Sequence, residues 1–478
     1  MRTYFLGIDI GTQGVRVVLI DDTGAVRGSQ NEVFPLTDSS REEQSPQLWW
    51  EVCWRCLHSL LHSLPPDVNR QAIQSVAVTS TSGTVIPLDE QNIPLHNALM
   101  YSDPRPAVEG KHCKAIAEQY HPDGYTGFNA SSGLSKMVWF VNHFPEKAAR
   151  LHTWVHAADF ITGKLSGTFQ TTDFTNALKS GYDVTNEVWP DYLFEQLPLK
   201  RAWMQTVGPS GQPIGTLRSA LAKELGLPSL FVVAGMTDGC ASQVASGAVR
   251  PGDWNTTIGT TLVIKGVTKQ ELTDAEGRLY NHRHPEGYWM PGGASNIGAD
   301  WVTPYAKDQL DELNRAAASL IPTPYISYPL CREGERFPFI SASARGFAPE
   351  GLSAAELFTA NMEGVAYVER YAYDLIEALS GETVRAVYTA GGASKSDTWL
   401  TIRSNVLKRP VFKCAEATGA VGAAILAASQ THFHSLTEAA QALIQVEKEI
   451  HPSNELMQAY DQRYEAFLAT LRAKKFID

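Results

Sequence analysis

The chain has 478 residues, 44% of them apolar and 19% charged, with a formal net charge of −11. That length exceeds what one hydrophobic core serves, so two large domains are expected, and the acidic balance excludes a general nucleic-acid binder, which needs a basic surface. No apolar stretch is long enough to span a bilayer, no signal-peptide pattern opens the chain, and six cysteines make no disulfide framework at this length, so no membrane partner and a cytoplasmic location are expected.

The first predicted elements surround a glycine turn. An apolar run through Gly7-Ile8-Asp9-Ile10-Gly11-Thr12 resumes at Val15, predicting strands over residues 4–10 and 15–21. Asp22-Thr23-Gly24 then turns the chain into a third strand over 25–34. Pro46 opens a helix to about residue 64, stopped by Pro65-Pro66. Inside it Cys53 and Cys56 form a C-x-x-C. Their neighbours, from Trp49 to Leu57, read as packing on both faces; metal or redox chemistry is disfavoured because no second Cys/His pair has ligand spacing. Residues 73–79 form the next strand, ending in Ser80-Thr81-Ser82-Gly83-Thr84, a small polar loop of the kind that lines clefts in α/β folds.

Further on, an apolar run at 230–234 leads to Thr237-Asp238-Gly239 and a small-residue helix. Asp238 is either that helix's N-cap or a base facing a cleft, and sequence alone leaves both open. The glycine turn then recurs as Ile258-Gly259-Thr260-Thr261, with strands predicted over 253–258, 262–267 and 279–284. Helices follow over 354–379 and 396–407, with a strand over 386–390 between them, and a last helix of small residues over 419–428. Alternating strands and helices define an α/β protein. The junction falls near residues 245–252, dividing the chain into domains 1–247 and 248–478.

The doubled turn carries the chemistry. Glycine lets main chain approach an anion, and successive N–H groups can cradle phosphate; two such turns suggest two halves of a nucleotide clamp. Asp9, beside the first turn, either holds a magnesium ion or accepts turn N–H bonds. Arg16 lies on the second strand, within reach of a terminal phosphate or simply at the surface. Gly391-Gly392-Ala393, followed by Ser396, is a strand-to-helix turn able to hold phosphate or ribose. Gly292-Gly293-Ala294-Ser295-Asn296 is expected to line the same cleft.

Together these segments resemble the FGGY carbohydrate kinases, of the actin-like ATPase superfamily, over nearly the whole chain. The resemblance runs through Asp9-Ile10-Gly11-Thr12, Glu43-Gln44-Ser45-Pro46 with Trp49-Trp50, and Lys136-Met137-Val138-Trp139-Phe140. It continues through the segment from Asp159 to Gly167 and through Thr172-Asp173-Phe174-Thr175-Asn176-Ala177, then Asp238, Gly259-Thr260-Thr261, Glu363-Gly364-Val365-Ala366 and Gly391-Gly392-Ala393. It implies two ribonuclease-H-like lobes closing on sugar and nucleotide. Asp238 would be the catalytic base, Arg16 a basic group near the γ-phosphate, and Asp9, with Asp238, the holder of Mg2+. Gly11, Thr12 and Gln13 on one side, and Gly259, Thr260 and Thr261 on the other, would meet the ATP phosphates; Gly391, Gly392, Ala393 and Ser396 match the adenosine side.

On the sugar side the resemblance implies Asp9, Ser82, Asp103, Arg105 and Asp238. Here Pro104 stands where many members carry glutamine, and Ser82 replaces larger polar groups. The loop from Thr81 to Val85, with the segment from Thr175 to Tyr182, looks most like the pentulose kinase branch acting on D-ribulose. The resemblance therefore implies ATP-dependent formation of D-ribulose 5-phosphate, with D-xylulose or another ketose or polyol as alternative acceptors. An actin- or chaperone-like ATPase without sugar transfer is the reading from a different class. A homodimer is the general expectation for such an enzyme.

Overall fold

The computed structural model describes residues 2–478. They form two compact units: one holds the residues up to Ala245 with His282–Gly287 and Glu416–Gln445, the other Ser246–Asn281, Tyr288–Ala415 and Val446–Asp478.

The first unit is built on a sheet whose centre is the strand Tyr4–Ile10. Gly14–Asp21 pairs with it antiparallel and Val26–Val33 extends the meander, while Ile73–Ser80 lies parallel on its other side. Phe231–Val233 and then Met236–Thr237 run parallel to Ile73–Ser80, and Pro213–Thr216 closes the edge antiparallel. The near-continuous apolar run of Tyr4–Ile10 reflects cover on both faces. Helix Pro46–Ser63, capped by Ser45, packs on the sheet through Trp49, Val52, Cys53, Cys56, Leu57, Leu60 and Leu61. Helix Gly419–Ala428 packs on Tyr4–Ile10 and Ile73–Ser80, and every one of its residues is buried.

That second helix approaches backbone to backbone. A Cβ on Gly7 would lie 1.9 Å from the Ala420 carbonyl oxygen, and one on Gly422 would lie 1.9 Å from that of Ala241. Only hydrogen fits at either position, which explains a helix of nothing but small and aliphatic residues.

The second unit repeats the same strand order. Asp253–Ile258 is central, with Leu262–Gly266 and Trp289–Ser295 as the antiparallel meander on one side. Ala386–Ala390 and Val411–Cys414 follow in parallel on the other, with Val446–Ile450 antiparallel beyond them. Its core gathers helices Ala354–Ser380, Asp397–Leu407 and Asn454–Ala473. A buried ion pair joins two of these helices, Arg403 Nε and Nη2 each meeting a Glu369 oxygen at 2.7 Å, while Arg403 Nη1 donates to Thr389 Oγ1 at 2.5 Å. Guanidinium and carboxylate are both fully buried and matched by a fork of hydrogen bonds.

Gly292 and Gly293 lie inside the strand Trp289–Ser295, where a Cβ on Gly293 would press on Leu279 and Phe337 at 2.8 and 2.9 Å. One expectation needs correction. Helix Pro46–Ser63 is buried on one face only. Trp50 and Trp54 sit partly buried on the other, 5.2 Å apart, with Lys164 over the Trp50 ring and Trp54 Nε1 donating to Glu224 Oε1. Both cysteines point inward, and burial pushes their thiols up, Cys56 to about 11, so neither is a reactive thiolate.

The close approach gives a direct expectation. Gly7→Ala should cost about 1–3 kcal/mol, because the added methyl meets main chain that has nowhere to move; a urea midpoint shifted down at unchanged slope would verify it.

Candidate active site

The first turn is held from behind by a relay of side chains. Gly11 N–H closes the turn on Gly14 O at 2.9 Å. Gln44 Nε2 donates to the Thr12 carbonyl at 3.0 Å, and Trp49 Nε1 donates to Gln44 Oε1 at 2.9 Å. The glutamine and tryptophan at the start of the first helix therefore fix the main chain of the turn, a role the sequence did not reveal. Beside the turn a cavity of about 730 Å3 is bordered by Asp9, Thr12, Gln13, Arg16 and Tyr101.

Asp9 stands directly opposite Arg16 across the strand pair. Its Oδ1 is buried with no hydrogen-bond partner, and Oδ2 faces the first residue of helix Gly419–Ala428 so closely that a Cβ on Gly419 would come within 2.7 Å. Burial first, then the charge of Asp238, push the Asp9 carboxyl up to about 7, with Arg16 pulling the other way. Asp9, Arg16 and Asp238 are thus one electrostatic group. Asp238 is the first residue of helix Asp238–Ser246, and its Oδ1 accepts the Gly239 N–H at 2.7 Å.

This donor set fits a hard divalent cation. Two mutually repelling carboxylates, one with an orphaned buried oxygen, are the environment in which such an ion is stabilising. Among the described residues no group of three or more His, Cys, Asp and Glu side chains could hold a metal. An ion here would complete its shell with phosphate and water.

Of the residues expected to meet the sugar, Ser82 has a buried hydroxyl with no hydrogen-bond partner. Asp103 and Arg105 bond each other: Asp103 Oδ1 accepts from Arg105 N–H and Nε at 3.0 and 2.9 Å, and Oδ2 accepts from Nη2 at 2.8 Å. Arg105 also pairs with Glu43 at 2.9 Å and lies over the Trp139 ring at 4.5 Å. Lys136, which composition marks as a surface residue, is fully buried; its Nζ donates to Ala130 O at 2.6 Å, and burial pushes it down to about 7 against the pull of Asp103.

In the second unit the structure brings two of the glycine segments together. Gly391, at φ +87°, packs so closely that a Cβ would sit 2.5 Å from the Ile258 carbonyl, next to Gly259. Gly259 N–H bonds Thr261 O at 3.0 Å and its carbonyl accepts Ala299 N–H at 2.7 Å; Thr260 and Gly392 are exposed, while Ala393 is buried. Ser396 caps helix Asp397–Leu407, accepting the Trp399 N–H at 3.1 Å and donating to Asn314 Oδ1 at 2.5 Å. Its hydroxyl is engaged in holding the helix start.

A repeated six-strand order, glycine turns after the first strand of each sheet, and an acidic pair beside one of them define a phosphotransferase of the actin-like ATPase fold. Comparison with known proteins agrees. The model of the FGGY family of carbohydrate kinases, N-terminal domain, matches residues 4–245, and that of the C-terminal domain matches residues 254–431. A xylulose kinase of Staphylococcus epidermidis is 27% identical, covering 99% of this chain and 98% of its own; a gluconokinase of Bacillus licheniformis is 24% identical over 86% and 84%. The crystal structure of a xylulose kinase from Rhodospirillum rubrum superposes with a TM-score of 0.82 at 24% identity, covering 98% of both chains. The chain belongs to the FGGY family of carbohydrate kinases; it is a sugar kinase. Among the described residues no helix is long and apolar enough to cross a membrane.

The raised Asp9 carboxyl has a measurable signature. The folded protein keeps this proton to about pH 7, whereas the unfolded chain loses it near 3.8, so ionised Asp9 lowers stability progressively as pH rises between the two. Without nucleotide or magnesium, Asp9→Asn should melt roughly 2–5 °C above the parent at pH 8, and the gap should close as pH falls towards 4; thermal melts across that range read it out.

Proposed function

We propose that the protein transfers the γ-phosphoryl group of ATP to the terminal hydroxyl of a ketopentose, with D-xylulose preferred over its C3 epimer D-ribulose. The observation that carries this is the full-length similarity to proteins named xylulose kinase. The loops near Ser82 and Thr175 favour D-ribulose as the second reading.

In this reading the substrate oxygen attacks the γ-phosphorus as the bond to the β–γ bridging oxygen breaks, and ADP leaves. Asp238 accepts the hydroxyl proton. Arg16 and the turn at Gly11, Thr12 and Gln13 attend the transferring group; Gly259, Thr260, Thr261 and the loop at Gly391 and Gly392 attend the rest of the nucleotide. Asp9 and Asp238 would hold magnesium, which would supply charge neutralisation on the phosphates. The transition state is loose, so positioning and charge carry the rate.

Initial rates of ADP release on D-xylulose, D-ribulose, L-ribulose, D-gluconate and glycerol test the proposal. The expected order puts D-xylulose first in kcat/KM; a higher value for D-ribulose would replace it with the second reading, and a higher value for D-gluconate or glycerol would end both. Asp238→Asn should lower kcat by about 10²–10⁴-fold with the fold intact, checked by circular dichroism on the same preparation.

A further inference from the structure

The peptide group between Met236 and Thr237, immediately before Asp238, is gripped from both sides by buried threonine hydroxyls. Thr79 Oγ1 donates to the Met236 carbonyl at 2.8 Å. Thr175 Oγ1 accepts the Thr237 N–H at 2.8 Å. The strand they belong to is only two residues long, paired with Thr79 and Ser80, so these hydroxyls supply much of its anchorage.

Thr175 is itself oriented. Its hydroxyl donates to Asp173 Oδ1 at 2.6 Å, which turns a lone pair towards Thr237. Asp173 is fully buried and saturated: Oδ1 also accepts the Thr175 N–H at 2.8 Å and the Ser210 hydroxyl at 3.2 Å, and Oδ2 accepts Asn176 Nδ2 at 2.5 Å. A rotor that must donate to a fixed carboxylate has one direction left in which to accept. Nothing in this relay reaches the surface, and Asp173 also caps the buried helix Phe174–Ala177.

We propose that Thr175, aimed by Asp173, is a positioning residue for the reaction: together with Thr79 it locks the peptide from which Asp238 projects, and so sets the reach of that carboxylate to the substrate hydroxyl. This rests on Asp238 being the base. A carboxylate displaced by a fraction of an ångström still binds its surroundings but loses the near-attack geometry that turnover requires.

The test uses the full-length protein with MgATP and the ketopentose giving the highest rate. Thr175→Val keeps shape and removes the hydroxyl; it should lower kcat about 10–100-fold while both KM values stay within about threefold. Thr175→Ser should recover most of the lost turnover, and Thr79→Val, releasing the other end of the same peptide, should also act on kcat. In an Asp238→Asn background the Thr175→Val change should alter the residual rate by less than about twofold, because the group it positions is gone. Thr175→Val and Thr79→Val enzymes both turning over like the parent overturn the inference. So do equal losses in the Ser and Val variants, or an undiminished loss in the Asp238→Asn background. An Asp238→Asn enzyme of parental turnover overturns the base assignment instead, which separates the two failures.

Discussion

The approach of two backbones, strand Tyr4–Ile10 and helix Gly419–Ala428, governs the arrangement of the acidic site. Side chains normally hold a helix about 10 Å from a sheet, and here Gly7 removes that spacer, while Gly422 removes the one between this helix and helix Asp238–Ser246. The helix start is thereby carried against Asp9 and its body against the helix that begins at Asp238. A carboxylate on the sheet and a carboxylate on a neighbouring helix become electrostatic neighbours because main chain, and not side chain, sets the distance. Van der Waals contact between main-chain atoms also leaves little room for adjustment, which suits a site in which charge and reach must be fixed in advance.

The same burial leaves the site in electrostatic debt. Asp9 has an oxygen without a partner and a like-charged neighbour, and Arg16 compensates only in part. Elsewhere the chain treats buried charge differently: Arg403 and Glu369 satisfy each other, and Asp173 is surrounded by donors. The contrast separates a carboxylate with an unmatched buried oxygen from carboxylates whose oxygens are met by donors.

Much of the fold was legible because its strands are buried on both faces and therefore written as apolar runs between glycine or proline signals. Residues 253–258, 386–390 and 419–428 coincide with their elements. The strand position of the double glycine at 292–293 was not legible, because a turn and a strand pressed by a neighbouring ring both select glycine, and only three-dimensional packing distinguishes them. Asp9, Arg16 and the first turn were readable as a cluster, since strand register places residues 9 and 16 opposite each other. The supports were not. Gln44 reaches Thr12 across 32 positions, Thr175 reaches Thr237 across 62, and no periodicity encodes a hydrogen bond between a loop side chain and a distant peptide. The mutual engagement of Asp103 with Arg105 was also hidden, because a side chain able to bond a polyol is equally able to bond its neighbour.

Helix Gly419–Ala428 also sets an order of events during synthesis. The sheet that begins at Tyr4 has one face covered by residues made after nearly nine-tenths of the chain, so a nascent first unit emerges with Phe5, Gly7 and Ser75 facing nothing. Its final closure waits for all of the second sheet but the edge strand Val446–Ile450 to be translated. The unit begun first is completed only once Gln445 has been added, and the exposed apolar face it carries meanwhile is a binding surface for chaperones and a route to aggregation.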